Sequence, residues 1–309
     1  MSETTTLRGV VRRRRGRRPR RLDRVTALLA AVTGTLAAAT STAAASTALG
    51  TTGEHPHGPP VASTVNYVAL GDSYSSGVGT GFYDPASGEC ARSPLSYPPL
   101  WAAEHNPASF RFVACSGATT GDVRGNQVTA LDPGTDLVTI TIGGNDAGFA
   151  DVLRTCTVAA TDSMCIATVD AAEEFARTQL PGRLAQAYTA IRGAAPRARV
   201  IVLGYPRLFE LTPGCADPLA PDRTRREKLN EGADVIDSVI SKAVVQQPGF
   251  AFVDVRDEFA GHGVCSPDPW INGPSVPTFV GPYHPTQQGY RDGYLAALDA
   301  SSAGDSAAA

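Results

Sequence analysis

The chain has 309 residues, of which 42% are hydrophobic and 18% are charged, and its formal net charge is −3. This length predicts one large domain or two small ones, and the apolar content excludes a largely disordered protein. The net charge conceals an uneven distribution, because a cluster of arginines lies within residues 12–24.

The first 45 residues carry the three parts of an export signal. The arginine cluster is followed by the apolar run Val25–Ala39 and then by small residues that end in Ala43-Ala44-Ala45. A basic segment, an apolar segment and an A-x-A site are together typical of a cleaved signal peptide, and about 15 apolar residues are too few for a stable membrane span. A basic arm that binds nucleic acid is the alternative, but the apolar run directly behind the arginines favours export. Whether Arg20-Arg21 marks twin-arginine export stays open.

Removal of the signal peptide (1–45) leaves an acidic mature protein. We expect this protein to be extracellular, without an integral membrane segment and without a nucleic-acid partner. Residues 46–63 are rich in Thr, Gly, Pro and His without periodicity, which predicts a flexible linker. A folded domain is expected over residues 64–300, followed by a disordered tail of Ser, Gly, Asp and Ala at 301–309. Nothing in the sequence requires more than a monomer.

Five short apolar runs predict buried β-strands: Val65–Leu70, Phe110–Ala114, Leu137–Ile142, Arg199–Leu203 and Phe250–Val255. Helical patterns run from about Asp170 to Gly193, from Pro221 to about Val245, and from Thr286 to Ala300. Strands that alternate with helices predict an α/β fold, in which a parallel sheet is covered by helices on both faces.

The cysteines are even in number and contain no C-x-x-C pair: Cys90, Cys115, Cys156, Cys165, Cys215 and Cys265. No histidine stands at metal-ligand spacing from them, so no metal site is expected. In an exported protein such a set predicts three disulfides. Six cysteines allow 15 connectivities, and the simplest is the sequential one. Closing loops of about 25, 9 and 50 residues would contribute at most about 3.5, 2.5 and 4 kcal/mol.

The first predicted strand ends in Gly71-Asp72-Ser73. A serine just past the carboxyl end of a parallel strand lies where open α/β sheets bind their ligands, and the N–H groups of a following helix can stabilise an oxyanion. A polar turn is the alternative interpretation. The same tripeptide at Gly304-Asp305-Ser306 has no strand before it and is interpreted as chance. The strand therefore makes Ser73 a candidate nucleophile.

Two further candidates follow the second and third predicted strands. Gly117 and Asn145 occupy these positions, and neighbouring parallel strands would bring both to the edge of the sheet that carries Ser73. The N–H of Gly117 and the side-chain amide of Asn145 could then stabilise one oxygen, each by roughly 3–4 kcal/mol in the transition state. A turn or a helix cap is the alternative for Asn145.

A serine nucleophile needs a general base, which is most often a histidine. Four of the five histidines lie in the linker or in polar and glycine-rich loops: His55, His57, His105 and His262. The fifth, His284, directly precedes the last predicted helix, in a turn fixed by Pro282 and Pro285.

These blocks resemble those of the SGNH (GDSL) hydrolase family. Gly71-Asp72-Ser73, Gly117, Gly143-x-Asn145-Asp146 and His284-Pro-x-x-x-Gly289 occur in the family's order and span about 220 residues. The resemblance implies a three-layer α/β/α fold with a five-stranded parallel sheet. It also implies that Ser73 is the nucleophile and His284 the base, with the N–H groups of Ser73 and Gly117 and the Asn145 amide as oxyanion hole.

Within this family the chain is similar to secreted actinomycete lipases and esterases. The similarity lies in the cysteine spacing and in Arg92-Ser93-x-x-x-Tyr97-Pro98, and it supports the sequential disulfide pairing. The G-x-S-x-G elbow of α/β-hydrolases is absent around Ser73, which disfavours that rival fold.

The chain departs from the family pattern beside the histidine. The family usually has Asp three residues before it, where this chain has Gly281, and the nearest acid on that side is Asp268. Some actinomycete relatives orient the histidine with a main-chain carbonyl. We therefore predict a Ser73–His284 dyad in which a backbone carbonyl near Gly281 holds the imidazole.

The predicted activity is ester hydrolysis through an acyl-serine intermediate, without a cofactor. The expected substrates are acylglycerols, phospholipids or simple short- to medium-chain esters. Two alternatives stay open. One is a carbohydrate esterase that removes acetyl groups from polysaccharides, which the small aromatic content of 7% mildly disfavours. The other is a secreted binding protein that keeps the fold without the chemistry.

Overall fold

The computed structural model describes residues 64–306. The predicted export signal (1–45) and linker (46–63) lie outside this part of the chain. No helix of residues 64–306 combines the length and the apolar character that a membrane span needs.

The centre of the fold is one parallel sheet of five strands. The strands are β1 (Asn66–Ala69), β2 (Ser109–Phe112), β3 (Leu137–Ile140), β4 (Arg199–Leu203) and β5 (Phe250–Val253). Their order across the sheet is β2-β1-β3-β4-β5, and every neighbouring pair is parallel. The predicted five-stranded parallel sheet is confirmed. Because β1 and β3 are adjacent, the loops that follow them share one edge of the sheet.

Helices cover both faces of the sheet. In chain order they are α1 (Ser73–Ser76), α2 (Tyr97–His105), α3 (Thr120–Gly125), α4 (Phe149–Val158), α5 (Asp162–Thr178), α6 (Leu180–Ala194), α7 (Arg223–Val244) and α8 (Ala296–Ser306). Short 3₁₀ segments lie at Pro85–Cys90 and Gln127–Ala130, and a π-helical segment lies at Gly289–Leu295.

Alternate residues of the strands enter two separate hydrophobic cores. Ile201 and Leu203 pack with α2, α4, α5 and the C-terminal helices, whereas Val200 and Val202 pack with α6 and with the C-terminal half of α7. Side chains of a strand point alternately to the two faces of a sheet, so each face is buried under its own layer. The predicted three-layer α/β/α architecture is confirmed.

The helices differ from their predictions in two places. The predicted helix Asp170–Gly193 is two helices, α5 and α6, which are separated at Gln179. Pro181 stands in the first turn of α6, where its missing N–H is tolerated, while it cannot continue the preceding helix. Helix α4 was not predicted, because its Thr, Val and Cys residues lack the Ala, Leu and Glu bias of the other helices.

The C-terminal helix is longer than predicted. The predicted helix Thr286–Ala300 corresponds to the π-helical segment followed by α8, and α8 continues to Ser306. The tail predicted to be disordered from residue 301 is therefore helical up to Ser306, and residues 307–309 lie outside the described part. Adding residues to an existing helix costs far less than nucleating one, so a weak helical sequence can extend α8.

The disulfides pair sequentially, as predicted. Cys90 bonds to Cys115, Cys156 to Cys165, and Cys215 to Cys265. The second of these joins the end of α4 to the start of α5. Cys115 of the first stands two residues before Gly117.

Candidate active site

Ser73 lies at the start of α1, immediately past the carboxyl end of β1. The turn that places it requires a glycine at position 71, where φ is +125° and a Cβ would lie 2.5 Å from Ser75 Oγ. The side-chain amide of Gln127 fixes this turn, because it accepts from the Gly71 N–H at 2.7 Å and donates to the Gly71 carbonyl at 2.8 Å. Asp72 caps α1 by accepting from the Tyr74 N–H at 3.0 Å.

The structure brings Ser73 and His284 together, although they are 211 residues apart in the chain. The distance from Ser73 Oγ to His284 Nε2 is 2.8 Å, and that from His284 Nδ1 to the Pro282 carbonyl oxygen is 2.8 Å. A carbonyl oxygen can only accept a hydrogen bond, so Nδ1 carries the proton and Nε2 presents a lone pair to the serine hydroxyl. This is the tautomer that a general base needs.

The carbonyl that orients the imidazole at hydrogen-bond distance belongs to Pro282, one residue after the predicted Gly281. Gly281 serves the turn in another way. It has φ +92°, and a Cβ there would lie 2.3 Å from Val78 Cγ1 and 3.0 Å from the Gly79 N. The glycine thus allows the loop that carries His284 to approach the loop that follows Ser73 closely. The short link from residue 282 to 284 lets Nδ1 reach the carbonyl of its own loop.

Burial lowers the pKa of His284 from 6.5 to about 4, against the opposing effect of the Pro282 and Gly281 carbonyls. Tyr74 contributes to this enclosure. Its ring lies 5.0 Å from the imidazole ring, and its hydroxyl donates to the Tyr283 carbonyl at 2.6 Å. The imidazole is therefore neutral at the pH of most extracellular media, which keeps it ready to accept a proton.

The other histidines within residues 64–306 have structural surroundings away from Ser73. His105 stacks on Trp101, with ring centroids 4.2 Å apart, and His262 stacks on Trp270, with centroids 3.7 Å apart. His55 and His57 lie outside the described residues. Asp268 belongs to the surroundings of His262, since its carboxylate lies 3.5 Å from His262 Nδ1.

We expect Asp268→Asn to leave kcat/KM within about twofold of the wild type, because this carboxylate lies beside His262 and Trp270 and not beside the base. Steady-state hydrolysis of a soluble nitrophenyl ester measures the effect. A loss of two orders of magnitude or more would mean that Asp268 supports His284 as the acid of a triad.

Three candidate hydrogen-bond donors belong to residues that line the cavity beside Ser73 Oγ. Within the described chain, the N–H groups of Ser73 and Gly117 donate to no protein acceptor. The side-chain nitrogen of Asn145 donates one proton to the Ala118 carbonyl at 3.0 Å, which leaves its second proton free. Ser73, Gly117 and Asn145 all line one cavity with His284. These are the groups predicted for an oxyanion hole.

The two loops that carry Gly117 and Asn145 are tied to each other. The carboxylate of Asp146 accepts from the Thr120 N–H at 2.8 Å and from the Thr120 hydroxyl at 2.7 Å. Thr120 begins α3, three residues after Gly117. Because Asp146 directly follows Asn145, this contact fixes the spacing of the two donor loops.

The cavity beside the serine has a volume of about 180 Å³. The polar groups described above lie at one side. The remaining wall is largely apolar and comes from α4, from the loop after β4 and from α7, through Phe149, Leu153, Pro206, Leu208, Ala233 and Ile236. A few convergent polar groups beside an apolar wall are typical of a site for a small organic ligand.

The profile of the GDSL-like Lipase/Acylhydrolase family matches residues 69–291. The chain belongs to this family. A lipase of Streptomyces rimosus is 49% identical over 240 residues, which are 78% of this chain and 88% of the relative. The crystal structure of the extracellular lipase from Streptomyces rimosus is 50% identical, with a TM-score of 0.72 over 76% of this chain and 99% of that one. Phospholipase A1 from Streptomyces albidoflavus NA297 is 47% identical, with a TM-score of 0.74 over 77% and 99%.

For this GDSL-family hydrolase, the predicted family and the predicted class of carboxylic ester hydrolase are confirmed. Sequence reasoning placed the orienting carbonyl only near Gly281, and it missed the contribution of the loop Gly204-Tyr205-Pro206. That loop follows β4 and reaches the same cavity. Its position after a predicted strand was a usable signal, since ligands bind at the carboxyl ends of parallel strands.

Proposed function

We propose that this chain is an exported serine hydrolase of lipid esters, acylglycerols or phospholipids, and that it acts through a Ser73–His284 dyad. The observation that carries the proposal is the relay from Ser73 Oγ to His284 Nε2 and from Nδ1 to the Pro282 carbonyl, with both distances 2.8 Å. Export is supported by the N-terminal sequence and by three disulfides, which persist in oxidising compartments.

Hydrolysis then proceeds in two acyl transfers. Ser73 Oγ attacks the ester carbonyl carbon while His284 Nε2 accepts its proton, and the former carbonyl oxygen receives hydrogen bonds from Ser73 N–H, Gly117 N–H and Asn145. The imidazolium returns the proton to the leaving alcohol as the acyl-serine forms. A water molecule then attacks the acyl-serine while His284 accepts its proton, and the imidazolium returns that proton to Ser73 Oγ as the bond to the acyl group breaks and the free acid departs.

The apolar wall of the cavity favours a lipid ester as substrate. An acyl chain beside Leu153, Leu208 and Ile236 would leave water for an apolar surface, which is favourable by about 0.8 kcal/mol per buried methylene. The relatives named lipase and phospholipase A1 agree with this choice. An acetyl group on a polysaccharide would leave most of this wall unused, so a carbohydrate esterase is less favoured.

Covalent labelling and an ester series test the proposal together. A nitrophenyl alkylphosphonate is expected to inactivate the enzyme and to add its phosphonyl group to Ser73, as read by mass spectrometry of the digested protein. The same enzyme is expected to hydrolyse nitrophenyl esters from acetate to palmitate, with a preference for chains longer than acetyl. Inactivity on every ester, or labelling at another residue, would reject the proposal and favour a binding protein on this fold.

Ala233 offers a test of the acyl site. It is buried in α7 and lines the cavity, so Ala233→Leu would fill space beside Leu208 and Ile236. We expect kcat/KM for a long-chain ester to fall about tenfold or more, while the value for acetate stays within about threefold. Ser238→Leu, on the exposed face of the same helix, is the matched control and should change neither value. An equal loss on acetate would place the acyl chain elsewhere.

A further inference from the structure

Asp72 is buried at the base of the active site, with 1% of its surface exposed. One carboxylate oxygen accepts from the Thr141 hydroxyl at 2.7 Å and from the Tyr74 N–H at 3.0 Å. The other accepts from the Tyr205 hydroxyl. Burial raises the pKa of Asp72 from 3.8 to about 6, although these hydrogen bonds act in the opposite direction. At pH 8 it is therefore a buried carboxylate whose donors hold it in place.

Tyr205 occupies the loop after β4 and is fixed from three sides. Its N–H donates to Asp237 Oδ1 at 2.8 Å, and its ring stands edge-on to the Tyr74 ring, with centroids 5.1 Å apart. Its hydroxyl donates to Asp72 and accepts from the Gly144 N–H at 3.1 Å. The Tyr205 hydroxyl, on the loop after β4, thus bonds to both the loop after β1 and the loop after β3.

We propose that Tyr205 is a positioning residue that sets the distance between the nucleophile Ser73 and the oxyanion donor Asn145. Asp72 directly precedes Ser73, and Gly144 directly precedes Asn145. The relay Gly144 N–H to Tyr205 hydroxyl to Asp72 therefore connects the two catalytic loops through their neighbouring residues. This inference rests on the roles proposed above for Ser73 and Asn145.

Such a link matters because an oxyanion donor acts over a narrow range of distance. Donors must lie 2.7–3.1 Å from the position that the oxyanion will occupy, and a misplacement of about 1 Å can cost about a hundredfold in rate. The Asp146–Thr120 contact fixes Asn145 relative to Gly117 but not relative to Ser73. Thr141, four residues before Asn145, bonds to Asp72 through its hydroxyl and its carbonyl, and Tyr205 adds the constraint at Gly144, the residue next to Asn145.

The geometry also distinguishes Tyr205 from three other buried tyrosines. Tyr67 and Tyr97 bond through their hydroxyls to Thr139 and Ser75, which belong to the sheet and to α1. Tyr188 is fully buried in α6 and its hydroxyl has no partner among the described residues. None of these three hydroxyls contacts the loop that carries Asn145, and the Tyr188 hydroxyl contacts no residue near Ser73 either, so Tyr188 is suitable as a matched control.

The test compares Tyr205→Phe with Tyr188→Phe in hydrolysis of a soluble nitrophenyl ester at pH 8. Tyr205→Phe keeps the ring that lines the cavity and removes only the hydroxyl. We expect kcat to fall between about tenfold and a hundredfold while KM stays within about twofold, because donor placement affects the transition state more than substrate binding. Tyr188→Phe is expected to keep both values within about twofold.

A second variant guards against a loss of folding in the first. In Gly144→Ala the new Cβ would lie 3.3 Å from the Tyr205 hydroxyl, which pushes the relay out of place although the N–H and the hydroxyl that form it are both kept. We expect kcat to fall in this variant too, with KM preserved. A kcat within twofold of the wild type in both variants, or an equal loss in Tyr188→Phe, would overturn the proposal. Phosphonate labelling of Ser73 in the wild type separates this outcome from a failure of the proposed function.

Discussion

Ser73→Ala and His284→Ala are each expected to lower kcat by about 10⁵- to 10⁶-fold, and the double variant to lose little more. The reason is that the two side chains act as one unit. The serine hydroxyl is a weak nucleophile until Nε2, at 2.8 Å, removes its proton, so either substitution removes the same step. The residual rate comes from the oxyanion donors and from substrate binding.

Single-turnover hydrolysis of a nitrophenyl ester measures these losses, and thermal unfolding checks that each variant is folded. His105→Ala is the matched control, because His105 lies against Trp101 at the surface of α2 and should keep the wild-type rate. Losses that multiply in the double variant would show that the serine and the histidine act independently, which would contradict the dyad.

Asn145→Ala is expected to lower kcat by about 10²- to 10³-fold with little change in KM. Its side-chain nitrogen is held by the Ala118 carbonyl, so its free proton is directed before the substrate arrives and costs no reorganisation during the reaction. The substrate carbonyl gains most from this donor after it becomes an oxyanion, which places the effect in kcat.

Steady-state kinetics on the same soluble ester measures this effect. Asn126→Ala is the control, since Asn126 is exposed at the end of α3 and should leave both constants unchanged. A rise in KM with an unchanged kcat would mean that Asn145 binds the ground state and is not an oxyanion donor.

The sequence was informative where local pattern and strand topology agree. Short apolar runs predicted the sheet, and the strand before Ser73 distinguished it from the identical tripeptide at Gly304-Asp305-Ser306. Pro181 could have predicted the break between α5 and α6 at Gln179. Helix α4 could not be predicted, because its residues have weak helix propensity.

Of the site, the sequence could predict only the residues whose side chains are themselves reactive. Ser73 and His284 are such residues, and the family pattern singled out His284 from the other histidines. The carbonyl that holds the imidazole depends on the course of three residues of backbone, so the sequence placed it only near Gly281, whereas the 2.8 Å contact is to Pro282. The Tyr205 hydrogen bonds and the apolar wall of the cavity depend on tertiary contacts between distant segments, which no local sequence pattern predicts.

Enclosure of the active site moves the pKa values of Asp72 and His284 in opposite directions, to about 6 and about 4. Because the pKa of Asp72 is raised on folding, this carboxyl contributes stability that is fully present below pH 3.8 and is lost as the pH rises through about 6. Because the pKa of His284 is lowered on folding, this imidazole contributes stability that is fully present above pH 6.5 and is lost as the pH falls through about 4. Between about pH 4 and pH 6, the folded protein holds one proton on Asp72, and the unfolded chain holds one on the His284 imidazole. Near pH 5 the contributions of these two residues to the pH dependence of the unfolding free energy therefore oppose each other, because each state holds one proton on the pair.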